Sequence, residues 1–148
     1  MTNFKLHHNT LFMENPTFKH TLKVLPSDMD TLGHVNNVVY VRWVQEVAAA
    51  HWQSMPQAER AKNLVWVVLR HEIDYHAPTL LGDPIEGSTR VGDYHGARFE
   101  RYVYIRHAQS GKLLAEAKTV WCLLDGNSMR PIRVSESLAA QLKQGNEG

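Results

Sequence analysis

From about Asn36 to about Gln53 the chain carries one long segment whose residues are apolar almost all round. Val38, Val39, Tyr40, Val41, Trp43, Val44, Val47, Ala48, Ala49, Ala50 and Trp52 cover most of it, and Arg42, Gln45, Glu46 and Gln53 form a narrow polar stripe. A helix with so little polar surface is expected to be enclosed by the rest of its fold. Its many valines do not serve helix propensity, so burial is what they serve. Asn36 or Asn37 can cap its first turn by accepting an orphan backbone N–H.

The remainder of the chain is nearly all strand. Phe18 to Leu25 alternates apolar and polar residues and reads as a first strand, ended by Pro26-Ser27-Asp28. After the helix, Leu64 to His76, Ile85 to Tyr94, Arg98 to Ala108 and Leu113 to Leu124 are rich in β-formers. Turn residues punctuate them: Pro78 with Gly82-Asp83-Pro84, Gly92-Asp93 with Gly96, and Ser110-Gly111-Lys112. Such short connections require antiparallel neighbours, because parallel strands need long crossovers. A last short helix is expected from Val134 or Ser135 to Lys143, with Ser135 as a cap. Residues 1–16 read as an N-terminal tail and 17–148 as one domain. One strand, one long helix and then four strands is an α+β arrangement. Pattern alone allows either a helix lying across an open sheet or a sheet wrapped around the helix.

Composition narrows the function classes. The chain has 148 residues, enough for one domain with a proper core. Its formal net charge of +1 lacks the basic excess of a nucleic-acid binder, so no nucleic acid is expected as partner. Cys122 is the only cysteine, so no disulfide framework or cysteine metal cluster is expected; it lies in the apolar run Val120-Trp121-Cys122-Leu123 and reads as a small buried hydrophobe. No apolar run is long enough for a membrane span, and no secretory signal is visible, so a cytoplasmic location is expected. The nine histidines show no metal-ligand spacing; His71 and His76 are five apart on one strand and point to opposite faces. No metal or cofactor is expected.

The chemistry concentrates in Asp28-Met29-Asp30-Thr31-Leu32-Gly33-His34-Val35-Asn36-Asn37, which runs straight into the apolar helix. Reactive polar groups beside a buried element are costly unless something pairs or uses them. Asp28 reads as a turn residue, its side chain accepting nearby backbone N–H groups. Asp30 lies just before a helix N-terminus, where unpaired N–H groups and the helix dipole favour negative charge. A carboxylate there can attack an acyl carbon or activate water, and the helix N-terminus can hold the oxyanion. Gly33 gives the turn backbone freedom.

This run, read through Tyr40 as Asp30-x-x-Gly33-His34-Val35-Asn36-Asn37-x-x-Tyr40, resembles the signature of the hotdog-fold thioesterases, the 4-hydroxybenzoyl-CoA and acyl-ACP thioesterase group. Tyr40, Trp43 and Glu46 recur as in the plant-type acyl-ACP members, Ile73-Asp74-Tyr75 with Pro78 and Gly82-Asp83 resembles the second strand and its exit, and Pro131-Ile132 resembles the last segment before the C-terminal helix. The likeness covers nearly all of residues 18–143. It implies an antiparallel sheet wrapped around a long central helix. It also implies a thioester hydrolase acting on acyl-CoA, with Asp30 as the catalytic carboxylate, His34 in a catalytic or positioning role, and a backbone N–H near Asn37 at the oxyanion site. Asn36, Tyr40, Trp43 and Glu46 would contribute to substrate binding.

Coenzyme A carries phosphates, which arginine binds bidentately, and the expected phosphate contact lies among Arg98, Arg101 and Arg130. Family members are at least dimers, so a homodimer or homotetramer is expected. The chain departs from the pattern at Leu32, where plant members carry Asn, at Ala49, where many simple members carry Arg, and at Ala77, near the place of a plant-type Cys. Two alternatives use the same fold: an acyl-ACP thioesterase, and a non-catalytic acyl-thioester-binding protein. A dehydratase is disfavoured by the absence of its His-bearing Gly/Pro-rich motif.

Overall fold

The computed structural model describes residues 18–56 and 62–144. The expected tail over residues 1–16 lies outside them. The order is β1 (Phe18–Leu22), a short 3-10 turn (Pro26–Asp28), α1 (Asn37–Gln53), β2 (Leu64–Tyr75), β3 (Ile85–His95), β4 (Arg98–His107), β5 (Leu113–Asp125) and α2 (Glu136–Lys143). The strands form one five-stranded antiparallel sheet in the order β1-β3-β4-β5-β2. No described helix is long and apolar enough to cross a membrane.

The first strand ends three residues before the expected Leu25. Its ladder stops at Leu22 opposite Ile85, where β3 begins, so residues beyond Leu22 have no partner to continue the pairing. The later strands start where expected and end within a residue of it. Each of Gly33, Gly82, Gly96 and Gly111 has positive φ, which only a residue without Cβ adopts freely. At Gly96 this lets β3 turn into β4 within two residues.

Helix α1 lies against the face of β1, β3 and β4. Val39, Tyr40, Trp43, Val44, Val47, Ala48 and His51 are buried beneath it, and Trp43 and Val47 are wholly so. Val39, Tyr40, Trp43, Val44 and Val47 join Leu22, Val35, Ile85, Val103 and Ile105 in the main core. A second core joins Met55, Phe99 and Leu123 to Val134, Leu138 and Leu142, and fixes α2 to the far end of the sheet. Ser135 caps α2 by accepting the Leu138 N–H at 3.0 Å, as expected.

The enclosure expected of α1 is incomplete within one chain. Val38 remains 69% exposed, and Ala49 is exposed with Arg42, Gln45 and Glu46. Only one face of the helix meets the sheet. Apolar character on the other side is therefore not spent on this chain's own core.

The helix can approach the sheet closely because β3 carries Gly87 beneath it. A Cβ at that position would collide with Val47 Cγ2 and press on Leu22 Cδ1 at 3.2 Å. Overpacking of this kind costs about 1–3 kcal/mol. Gly87→Ala should lower the melting temperature by several degrees without changing the far-ultraviolet circular dichroism. An unchanged melting temperature would show that the helix is free to lift.

Candidate active site at the N-terminus of α1

The segment between the 3-10 turn and α1 is held by its own acids. Asp28 is 2% exposed and its carboxylate takes both guanidinium nitrogens of Arg42, each at 2.9 Å. The same carboxylate accepts the Leu25 N–H at 2.8 Å, and the Asp28 carbonyl accepts the Asn36 N–H at 2.8 Å. Hydrogen bonding from Arg42 holds the Asp28 carboxyl below the usual range, against the opposing effect of burial. Asp28 is thus the turn residue the sequence indicates.

Asp30 stands on the other side of this tie. Its Oδ1 accepts the backbone N–H of Leu32 at 2.9 Å and of His34 at 3.0 Å. The Asp30 N–H in turn donates to the His34 carbonyl at 2.7 Å. Gly33, at φ +79°, closes this tight loop. The carboxylate is therefore oriented by the backbone through one oxygen, and Oδ2 takes part in neither bond. Val35 is drawn inward by its N–H bond to the Thr79 carbonyl at 2.9 Å, and it is 3% exposed.

Asn36 is the helix cap. Its Oδ1 accepts the Val38 N–H at 3.1 Å. The first N–H groups of a helix have no acceptor within it, so the Asn37 end of α1 offers donors to the space in front. That space is a cleft of about 490 Å³ lined by Asp30, Leu32, His34, Val35, Asn36, Asn37, Tyr40, Tyr75, His76, Ala77 and Pro78. Tyr40 is buried at its base, with its hydroxyl on Thr79 Oγ1 at 2.6 Å and its ring edge-on to Tyr75 at 5.4 Å. Burial raises the Tyr40 pKa, so its hydroxyl is neutral at neutral pH.

The structure gathers Asp30, His34, Asn36, Asn37 and Tyr40 at this cleft, and separates the other expected residues from it. Trp43 is 0% exposed and packs edge-on against Tyr40 at 5.1 Å, so it lines neither the cleft nor any open surface; one turn further along the helix it has become core. Glu46 lies on the exposed side of α1, where its Oε2 meets His20 Nε2 at 3.1 Å. Neither is placed to touch a substrate in the cleft.

The arginines do not form one set. Arg98 and Arg101 are three apart on β4, so they emerge on opposite faces. Arg98 and Arg130 are exposed, whereas Arg101 is 3% exposed under α1. Arg101 is thereby removed from any solvent-facing phosphate contact. Arg98 is opposite Cys122 on β5, while Tyr75 beside the cleft is opposite Ala115. Seven strand residues separate these positions, about 23 Å at the usual rise. Within one chain, Arg98 is at the other end of the sheet from Asp30.

Tyr75, His76 and Pro78 form the outer wall of the cleft, a role the sequence leaves unassigned. The available signal is the strand end at Tyr75 followed by Pro78, which returns the chain across the helix N-terminus. The departures at Leu32 and Ala77 also fall in the wall.

Residues 24–142 match the model of the thioesterase-like superfamily, and the chain belongs to that superfamily. It is 27% identical over 135 residues to the acyl-CoA thioester hydrolase YbgC of Escherichia coli O6:H1, spanning 89% of this chain and all of that protein. The long-chain acyl-CoA thioesterase FadM of Escherichia coli K12 is 23% identical over 128 residues, 83% of this chain and 95% of that one. Among solved structures, a thioesterase from Thermus thermophilus complexed with coenzyme A and zinc superposes with a TM-score of 0.74 at 26% identity, covering 88% of this chain and 95% of that one. YbaW from Escherichia coli, a probable thioesterase, shares the fold with a TM-score of 0.75 at 21% identity, over 84% and 98% of the two chains. The sheet curled about α1 is the hotdog fold.

Removing Arg42 leaves the buried Asp28 carboxylate with one backbone donor. Hydrogen bonds to charged groups are worth about 1.5–3 kcal/mol, and half-exposure of Arg42 places this one toward the lower figure. Because the folded pKa of Asp28 is lowered, its contribution is present above the unfolded carboxylate pKa and disappears as pH falls through the folded value. Arg42→Ala should therefore destabilise at neutral pH, and the difference from wild type should shrink in acid. A pH-independent difference in denaturant midpoints would count against this pair as the tie.

Proposed function

We propose that the protein hydrolyses acyl-CoA thioesters to a free acid and a thiol, with Asp30 as the catalytic carboxylate and the first turn of α1 as the oxyanion site. The observation that carries this reading is the placement of Asp30, oriented by two backbone N–H groups, at the cleft in front of the α1 N-terminus. Superfamily membership and the acyl-CoA hydrolases among its relatives support the reaction class.

In this reading the thioester carbonyl points its oxygen at the N–H groups near Asn37. Negative charge grows there as the carbonyl carbon is attacked, and fixed donors stabilise it more than they stabilise the ground state. Asp30 either accepts a proton from an attacking water or attacks directly to give a mixed anhydride that water then opens. On the first route the C–S bond breaks as the proton taken by Asp30 passes to the sulfur; on the second a thiolate leaves, and the water that opens the anhydride supplies the proton that makes it a thiol. His34 and Asn36 border the acyl carbonyl, and Tyr40 forms the floor beneath it.

The site is completed by a second copy of the chain. β2 is an edge of the sheet, half-buried along most of its length, and Leu69 and Tyr75 on it are 48% and 46% exposed. Its first half, Leu64 to Leu69, is wholly apolar, and edges of this kind are ordinarily covered. Antiparallel pairing of β2 with its copy sets the Tyr75 end of one chain beside the Leu64 end of the other. The cleft of one protomer then faces the sheet end that carries Arg98 and Arg130 on its partner, which removes the separation found within one chain. Exposed Val38 on α1 is accounted for in the same way.

Asp30→Asn keeps an oxygen able to accept from Leu32 and His34, so the loop should hold. Its turnover should fall by about 10²–10⁴-fold, the usual worth of general-base assistance, with the melting temperature nearly unchanged. Full turnover by the purified variant in a free-thiol assay against a panel of acyl-CoAs would remove Asp30 from the mechanism.

Light scattering should give a dimer or tetramer at working concentration; a fully active monomer would defeat the two-copy site. Arg98→Ala and Arg130→Ala should raise KM for acyl-CoA more than they lower kcat, since a phosphate contact serves ground and transition states alike. Equal KM for acyl-CoA and a short acyl-pantetheine would instead point to acyl carrier protein as the carrier.

A further inference from the structure

A second cavity, of about 350 Å³, lies between the C-terminal half of α1 and the inner face of β2, β4 and β5. Its walls are aromatic. Trp52 meets Trp66 edge-on at 5.7 Å, Trp66 meets Phe99 at 4.9 Å, and Trp121 and the small Ala49 also line the space.

Arg101 lines this apolar space. Both of its hydrogen bonds use Nη1, to His51 Nδ1 at 3.0 Å and Thr89 Oγ1 at 3.0 Å. Its Nε has no hydrogen-bond partner, and neither does the indole Nε1 of Trp121 in the same wall. Among the described residues no carboxylate pairs with Arg101. Burial and the Arg101 charge hold His51 down to about 3, so its imidazole is neutral and supplies only a lone pair. Burial pulls Arg101 down to about 9, which leaves it a cation at neutral pH. An unpaired buried charge is expensive, and a buried donor without an acceptor adds to the cost. An arginine that lines an aromatic space and has no carboxylate partner points to a missing anion with an apolar body.

We propose that this cavity receives the far end of the acyl group, and that the acyl group ends in a carboxylate which pairs with Arg101. The inference rests on the thioesterase reading and names its substrate class: thioesters of dicarboxylic acids, or of other acids bearing a second carboxylate at the distal end. The aromatic walls take the hydrocarbon stem. Arg101 supplies the charge, and its guanidinium is held in orientation by Thr89 and His51 before the ligand arrives. In the two-copy arrangement the cavity lies near the partner's cleft, because the Leu64–Trp66 end of β2 belongs to its rim.

The test compares substrates of equal length that differ only at the end. Adipoyl-, suberoyl- and sebacoyl-CoA are assayed against hexanoyl-, octanoyl- and decanoyl-CoA. At one length or more, kcat/KM should favour the carboxylate-ended substrate by about tenfold or more, and Arg101→Leu should collapse that ratio. Preference for the methyl-ended substrate at every length, or a ratio unchanged in folded Arg101→Leu, overturns the proposal.

A binding measurement on the wild-type protein keeps the test decisive if Arg101→Leu does not fold. Three of the four tryptophans line the cavity, so intrinsic fluorescence reports its occupancy. Suberate should quench it saturably, and suberamide, of the same length but neutral, should not. Equal responses to the two overturn the charge recognition. Should no thioester be cleaved while suberate alone quenches, the catalytic reading falls and the pocket stands. Should octanoyl-CoA be cleaved best while suberate has no effect, the pocket falls and the catalytic reading stands.

Discussion

The candidate site depends on one buried carboxylate that is wholly engaged in holding its loop. Asp28 binds Arg42 on α1, accepts from Leu25 before the turn, and through its carbonyl holds Asn36 at the cap. Both ends of the loop and the first helical turns are thereby fixed to a single residue. Asp30, two residues on, inherits that rigidity, and its own Oδ1 spends its lone pairs on Leu32 and His34. A carboxylate placed by the backbone in this way loses little freedom when a substrate arrives. Pre-organisation of this kind is what lets a fixed group act in a transition state without first having to be ordered. The two acids of Asp28-Met29-Asp30 therefore divide the work: one orders the loop and the other faces the cleft.

How much of this is readable from the chain depends on whether the signal is local. Turn chemistry is local, and so the breaks at Gly82-Asp83-Pro84, Gly96 and Gly111 place β3, β4 and β5 to within a residue. The cap at Asn36 and the turn role of Asp28 are local too. The end of β1 is not, because it is set by where β3 begins. The enclosure of α1 fails for a related reason. Apolar residues all round imply cover, but sequence does not say whether that cover is the same chain or another, and Val38, at 69% exposure, is left uncovered by its own chain.

The arginines illustrate a different limit. Phe99, Arg101, Val103 and Ile105 alternate along β4 and are all buried, which puts Arg101 on the core face by period alone. That pattern is visible in the chain, yet charge suggests surface. Arg98 and Arg101 could not share a face whatever the fold. Trp43 shows the converse: it follows Tyr40 by three residues on one helical stripe, but the cleft reaches only the first turn, so the same stripe is site at Tyr40 and core at Trp43. Spacing identifies a face and not the depth at which a cavity ends.

The two ends of helix α1 offer different surroundings to a ligand. The 17 residues from Asn37 to Gln53 span about 25 Å. At the first turn, unpaired N–H groups and a dipole suit a developing oxyanion. Toward Gln53, Ala48, Ala49 and Trp52 give an apolar wall, and His51 reaches the buried Arg101 cation. An arginine suits that place where a lysine would not. Its fork allows Nη1 to be locked by Thr89 and His51 while another edge of the same plane keeps its donors for something else. A lysine held by the same two partners would be a compact point charge with no second edge to offer. The neutral partners also matter: a carboxylate in place of His51 would cancel the charge and close the position to an anion, whereas a neutral imidazole and the Phe99 ring, 5.6 Å from the guanidinium carbon, fix the guanidinium without neutralising it.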